Sequence, residues 1–94
     1  MNEALWEIYQ QTCQDEMVPL DEFLRRLAAG EWGPYAKDDV LALLQELESM
    51  MLANIQVKAH EGPRFAEMAE TVSEQTQAEF EKLTAFVEEA FRDR

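Results

Sequence analysis

RFAEMAETVSEQTQAEFEKLTAFVEEAFRDR, residues 64–94, is the stretch on which the fold turns. Phe65, Ala69, Val72, Thr76, Phe80, Leu83, Val87 and Ala90 fall 4, 3, 4, 4, 3, 4 and 3 positions apart. That spacing lines side chains along one face of an α-helix. Phe86 and Phe91 broaden the face near its end. A continuous helix of about 29 residues would be about 43 Å long, which exceeds the width of a domain this small. Part of it therefore projects or packs on a second copy. The stripe is thin between residues 70 and 79, and Thr71-Val72-Ser73-Glu74 has the form of a capping box, so a break near Thr71 is the alternative to one helix.

Upstream of this stretch, Glu61-Gly62-Pro63 reads as a turn. Residues 55–59, Ile-Gln-Val-Lys-Ala, alternate apolar and polar with the period of a strand. A lone strand leaves its backbone groups unpaired, so the segment reads equally as an extended connector. Before it, Val40, Leu43, Leu44, Leu47, Met50 and Met51 form a wide helical stripe over residues 38–53, with Asp38 as its N-cap. The loop at 31–37 carries Trp32 and Tyr35 around a Gly33-Pro34 turn. A short helix over 21–29 is bounded by Asp21 and Gly30. A first helix over 2–17 carries Leu5, Ile8, Tyr9, Thr12, Cys13 and Met17 on one face and stops before Pro19. The fold class is thus all-α: a small bundle of about four helices with a long C-terminal helix. The domain organisation is one unit over 1–94, with a compact core in 1–60 and the long amphipathic helix in 64–94.

The run from Val40 to Val57 also resembles the third helix and following strand of a winged-helix domain, with the Gly62-Pro63 turn as the wing near 55–65. The resemblance is one of hydrophobic pattern over about 60 residues. It departs from DNA-binding members at the third helix, which carries Asp38, Asp39, Glu46 and Glu48 where cations are needed. It implies instead the winged helices that serve as protein–protein modules.

Charge narrows the function classes. Twenty Asp and Glu against eight Lys and Arg give a net charge of −12. Phosphate backbones and anionic lipid surfaces are repelled by such a field, so neither nucleic acid nor membrane is an expected direct partner. One cysteine, no secretory pattern and no long apolar run fit a cytoplasmic protein. Cys13 on the apolar face of the first helix reads as a small buried hydrophobe, with a disulfide-linked dimer as the alternative. His60, the sole histidine, reads as a solvated loop residue. With one Cys and one His there is no structural zinc set in one chain, and there is neither a P-loop nor a Gly-x-Gly-x-x-Gly phosphate cradle. No catalytic residue, metal or cofactor is assigned.

Binding is the function class left, and two features stand out for it. Phe80, Leu83, Phe86, Val87 and Phe91 concentrate apolar side chains among Glu79, Glu81, Glu88 and Glu89, as partner-binding helices do; the same face would equally complete the core. Trp32 and Tyr35 mark a loop contact site or fold back as a lid. The first reading is an adaptor, chaperone or small regulatory subunit that grips a protein with a basic or apolar groove through the C-terminal helix. The alternatives are an acidic nucleic-acid mimic that occupies the basic site of a DNA- or RNA-binding protein, and a self-assembling structural protein. A homodimer through the long helix is compatible with the same stripe.

Overall fold

The computed structural model describes residues 2–92. Helix α1 (Glu3–Tyr9) runs on as a π-helical segment, Gln10–Asp15. It is followed by α2 (Leu20–Ala28), α3 (Lys37–Glu61) and α4 (Pro63–Ala90). The protein is a small all-α fold, and the described residues contain no strand. The last two residues of the expected helix over 64–94 lie outside the described residues.

Local chemistry sets the helix ends. Asn2 Oδ1 accepts a hydrogen bond from the Leu5 N–H at 3.2 Å and so caps α1. The π-helical segment closes with Glu16 N–H on the Gln11 carbonyl and Val18 N–H on the Thr12 carbonyl, both 3.0 Å, and Met17 takes a left-handed φ of 61°. Helix α2 starts one residue before Asp21, at Leu20. Asp21 and Glu22 lie in its first turn and reach Arg25 and Arg26 at 3.4 Å, rather than Asp21 serving as the cap. Its other end is a Schellman motif: Gly30 N–H bonds the Leu27 carbonyl, Glu31 N–H bonds the Arg26 carbonyl, and Gly30 has φ +83°. Gly62 alone separates α3 from α4, and Pro63 takes the first position of α4, where a missing N–H costs nothing.

The strand or connector expected at 55–59 is helix, and so is the span of the proposed wing: α3 continues unbroken to Glu61. In a helix Ile55 and Ala59 are one turn apart and turn away from solvent, whereas Val57 between them points outward. The two-residue alternation reflects this accident of spacing, and helical hydrogen bonding satisfies a backbone that a lone strand would leave unpaired. The break near Thr71 is absent as well, since α4 is continuous through it.

Helices α3 and α4 form an antiparallel hairpin of 25 and 28 residues, while α1 and α2 have 7 and 9. The short helices cover only the half of the hairpin that holds both of its free ends. There Leu5, Phe23, Leu24, Leu27, Val40, Leu43, Leu44, Leu47, Phe80, Leu83, Val87 and Phe91 make one core. Beyond Leu47 and Phe80 the two helices run on alone to Gly62, with only Ile55 and Ala69 buried between them. The molecule consequently measures 45 × 26 × 21 Å, with a radius of gyration of 14.6 Å, against about 12 Å for a compact chain of this length. We call the covered half the base and the bare half the arm.

Two outcomes check this division. Leu43→Ala should destabilise the fold by about 2–5 kcal/mol and Met50→Ala by less than about 1 kcal/mol, measured by urea denaturation, because only the first empties a packed site. Ser73 Oγ, on the arm half of α4, is buried without a hydrogen-bond partner. Ser73→Ala should therefore raise stability by about 0.5–1.5 kcal/mol, through relief of the unpaired hydroxyl and better helix propensity.

Candidate interaction surface

The partner-binding residues expected from the sequence sit in the base. Phe80, Leu83, Val87 and Phe91 are buried in the core, and Phe86 is half-buried against it. The stripe on α4 thus serves the chain's own packing, and none of these four buried residues is open to a partner in this structure. Trp32 and Tyr35 also pack on the core. Trp32 lies tilted against Phe23 at 5.5 Å, Phe23 meets Tyr9 edge-on at 6.0 Å, and Tyr9 lies 5.3 Å from Trp6. This run of aromatic rings ties the 31–36 loop down onto α1 and α2, so the loop acts as a lid.

What the structure leaves uncovered lies elsewhere. Leu43, Leu47, Met50, Asn54 and Val57 recur along α3 at intervals of 4, 3, 4 and 3 residues, one continuous row. In the base the row is buried at Leu43 and Leu47, but in the arm Met50 is 48% exposed and Val57 54%. The row does not change character; its cover ends. Met51 (49% exposed) and Met68 (58%) join Met50 and Val57 as large apolar side chains open to water in the arm. On α4, Val72, Gln75, Thr76 and Glu79 line a shallow groove of about 280 Å³ shared with Met51 and Phe80. Met68 is one turn before Val72 and belongs to that flank.

The two flanks of the hairpin differ in charge. The groove on the other side, about 220 Å³, is lined by Glu48, Glu81 and Glu88 with Phe80, Thr84 and Ala85. Glu67, Glu70, Glu74, Glu81 and Glu88 follow at intervals of 3, 4, 7 and 7, so α4 carries an acidic edge along that side. By contrast residues 49–60 of α3 contain no Asp or Glu, the longest such run in a chain that has twenty. Exposed apolar side chains thus gather on one flank of the arm, beside the acid-free run of α3, with Glu79 of α4 the carboxylate that lines the groove there. The sequence held the signal in Met50, Met51 and the acid-free run, but it was masked because a stripe facing a core and a stripe facing water read alike.

The reactive groups are dispersed. His60 is exposed in the last turn of α3, at the tip of the arm rather than in a loop, whereas Cys13 packs against the base. No cluster of three or more His, Cys, Asp or Glu suited to a metal occurs among the described residues. No helix of the described residues is long and apolar enough to cross a membrane. Burial pushes the Cys13 thiol up to about 11, and burial likewise raises the Tyr9 hydroxyl. A raised thiol pKa keeps the neutral form in the folded state, so thiolate is scarce below about pH 11. Alkylation of Cys13 by iodoacetamide at pH 8 should be roughly 100-fold slower in the native protein than in urea; equal rates would show an open, ordinary thiol.

No protein-family model, curated protein sequence or solved structure matches the chain.

Proposed function

We propose that the chain is a non-enzymatic protein–protein interaction module, of the adaptor, chaperone or small regulatory-subunit kind, and that it binds through the methionine-bearing flank of its hairpin arm. One observation carries this reading: Met50, Met51, Val57 and Met68 stand in water on a projecting two-helix arm. Large apolar side chains gathered on one surface are stabilised when a partner removes them from water. Methionine suits such a surface, since its unbranched chain adapts to the shape it meets. The C-terminal helix thus contributes through its arm half, with Met68 and Val72, and its base half holds the core that keeps the arm in place.

The acidic edge of α4 favours a second reading, a nucleic-acid mimic whose row of glutamates enters a basic cleft. Salt separates the two, because ion pairs at a surface weaken with ionic strength and apolar contacts do not.

The test is a capture experiment on nuclease-treated lysate of the source, with the tagged wild-type chain and a Met51→Glu/Met68→Glu variant washed at low and high salt. A stoichiometric chain held at high salt and reduced at least about 10-fold by the variant is the expected result. Equal capture by both proteins would remove the arm flank as the contact surface. Release by salt, together with competition by DNA or RNA, would favour the mimic.

A further inference from the structure

We infer that the arm flank is a site of reversible modification: oxidation of Met50, Met51 and Met68 to methionine sulfoxide by a peroxide releases the partner, and thiol-dependent reduction restores binding. The inference rests on the reading above that this flank is the contact surface, and adds the chemistry that regulates it.

The sorting of residue types carries it. Methionine ranks with leucine, isoleucine and valine among the side chains most often buried. In this chain leucine and methionine part company. All ten leucines are buried or half-buried. The four methionines among the described residues, Met17, Met50, Met51 and Met68, are 80, 48, 49 and 58% exposed. Of the large apolar side chains open to water, only Val57 is not a methionine. Leucine and methionine exchange at nearly constant volume, so a need for apolar surface alone does not separate them. What methionine adds is a thioether sulfur at the end of an unbranched chain.

That sulfur attacks one oxygen of hydrogen peroxide. An S–O bond forms as the O–O bond breaks, the proton of the transferred oxygen passes to the departing hydroxide, and water leaves. The sulfur gives up two electrons and the peroxide takes them. A reductase dithiol later removes the oxygen as water and becomes a disulfide. The thioether has no proton to lose first, so the reaction runs at neutral pH. Cys13 competes poorly: it packs against the base, and burial pushes its thiol up to about 11, which leaves little of the thiolate that reacts with peroxide.

The effect is confined to the flank. The buried apolar core consists of Leu, Phe, Val, Ile and Ala and holds no sulfur, and Ile55 and Ala69, buried in the arm, are equally inert. Met50 and Met51 stand on α3 and Met68 on α4, so sulfoxides would arise on both helices beside the groove that Met51 and Val72 line. Each replaces an apolar tip with a polar S=O group. A partner fitted to an apolar surface has no donor for those oxygens, and taking them out of water unpaired weakens binding. Met17 lies outside the arm, just before α2, and serves as the control.

The full chain treated with hydrogen peroxide at pH 7 tests the inference. Peptide mapping by mass spectrometry should show Met50, Met51 and Met68 each gaining one oxygen at a rate within about 3-fold of a short methionine peptide, with Cys13 unreacted and the far-UV circular dichroism spectrum unchanged. Retention on a phenyl matrix should drop and high-salt capture from lysate should fall at least about 10-fold. Methionine sulfoxide reductases for both sulfoxide epimers, with a dithiol, should restore both readings. In Met50→Leu/Met51→Leu/Met68→Leu, compared with its own untreated sample, peroxide should change neither; in Met17→Leu it should act as in wild type. Arm methionines more than about 10-fold slower than the peptide, or unfolding on oxidation, would overturn the inference. So would equal capture by oxidised and untreated wild type, which leaves the interaction-module reading intact. Untreated wild type that captures nothing through the arm would end both.

Discussion

The pairing of α3 with α4 is the constraint on which the rest of the structure depends. One residue, Gly62, turns the chain between them, so the two helices must lie side by side over their whole length. Each is about three to four times as long as α1 or α2. Four helices can then share a core in one half of the molecule only. Placement of the core, projection of the arm and exposure of Met50, Met51 and Met68 all descend from that mismatch in length.

Within the base the energetics are those of ordinary apolar packing. Phe23, Leu24, Leu27, Leu5, Val40, Leu43, Val87 and Phe91 are fully excluded from water, each such side chain contributing about 1.5–3 kcal/mol before conformational entropy is set against it. Ion pairs add little. Those of Arg25 and Arg26 with Asp21, Glu22 and Glu31 lie at 3.4–3.9 Å on the surface, where solvent and salt screen them. The net charge of −12 is not what holds the helices together.

Much of this was legible in the residues themselves. The spacing of Phe65 to Ala90 gave the long helix, Gly62-Pro63 the turn, and Gly30 the end of α2. Residues 55–59 misled, because Ile55 and Ala59 face the partner helix while Val57 faces solvent, and five residues are too few to separate a period of two from one of 3.6. The candidate site was legible only in part. Phe80, Leu83 and Val87 have the composition of a binding face, but burial is a property of what packs opposite them, and periodicity does not carry that. For the same reason Met50 and Met51 read as core: Met50 continues the row of Leu43 and Leu47 without a break, Met51 lies beside it, and the end of their cover is decided by α1 and α2, far off in sequence.

The uneven cover of the hairpin also bears on how the native state opens. In the base, separating the helices breaks the whole core at once. In the arm only Ile55 and Ala69 are buried, so the tip can unzip from Gly62 inward while the base stays closed. Backbone amides near Gly62 will then exchange with solvent through small local openings, and those around Leu24, Leu44 and Val87 only on global unfolding. An arm without a cover is held by helix pairing alone; a partner docked on it would raise the stability of that half and draw the two halves into a single cooperative unit.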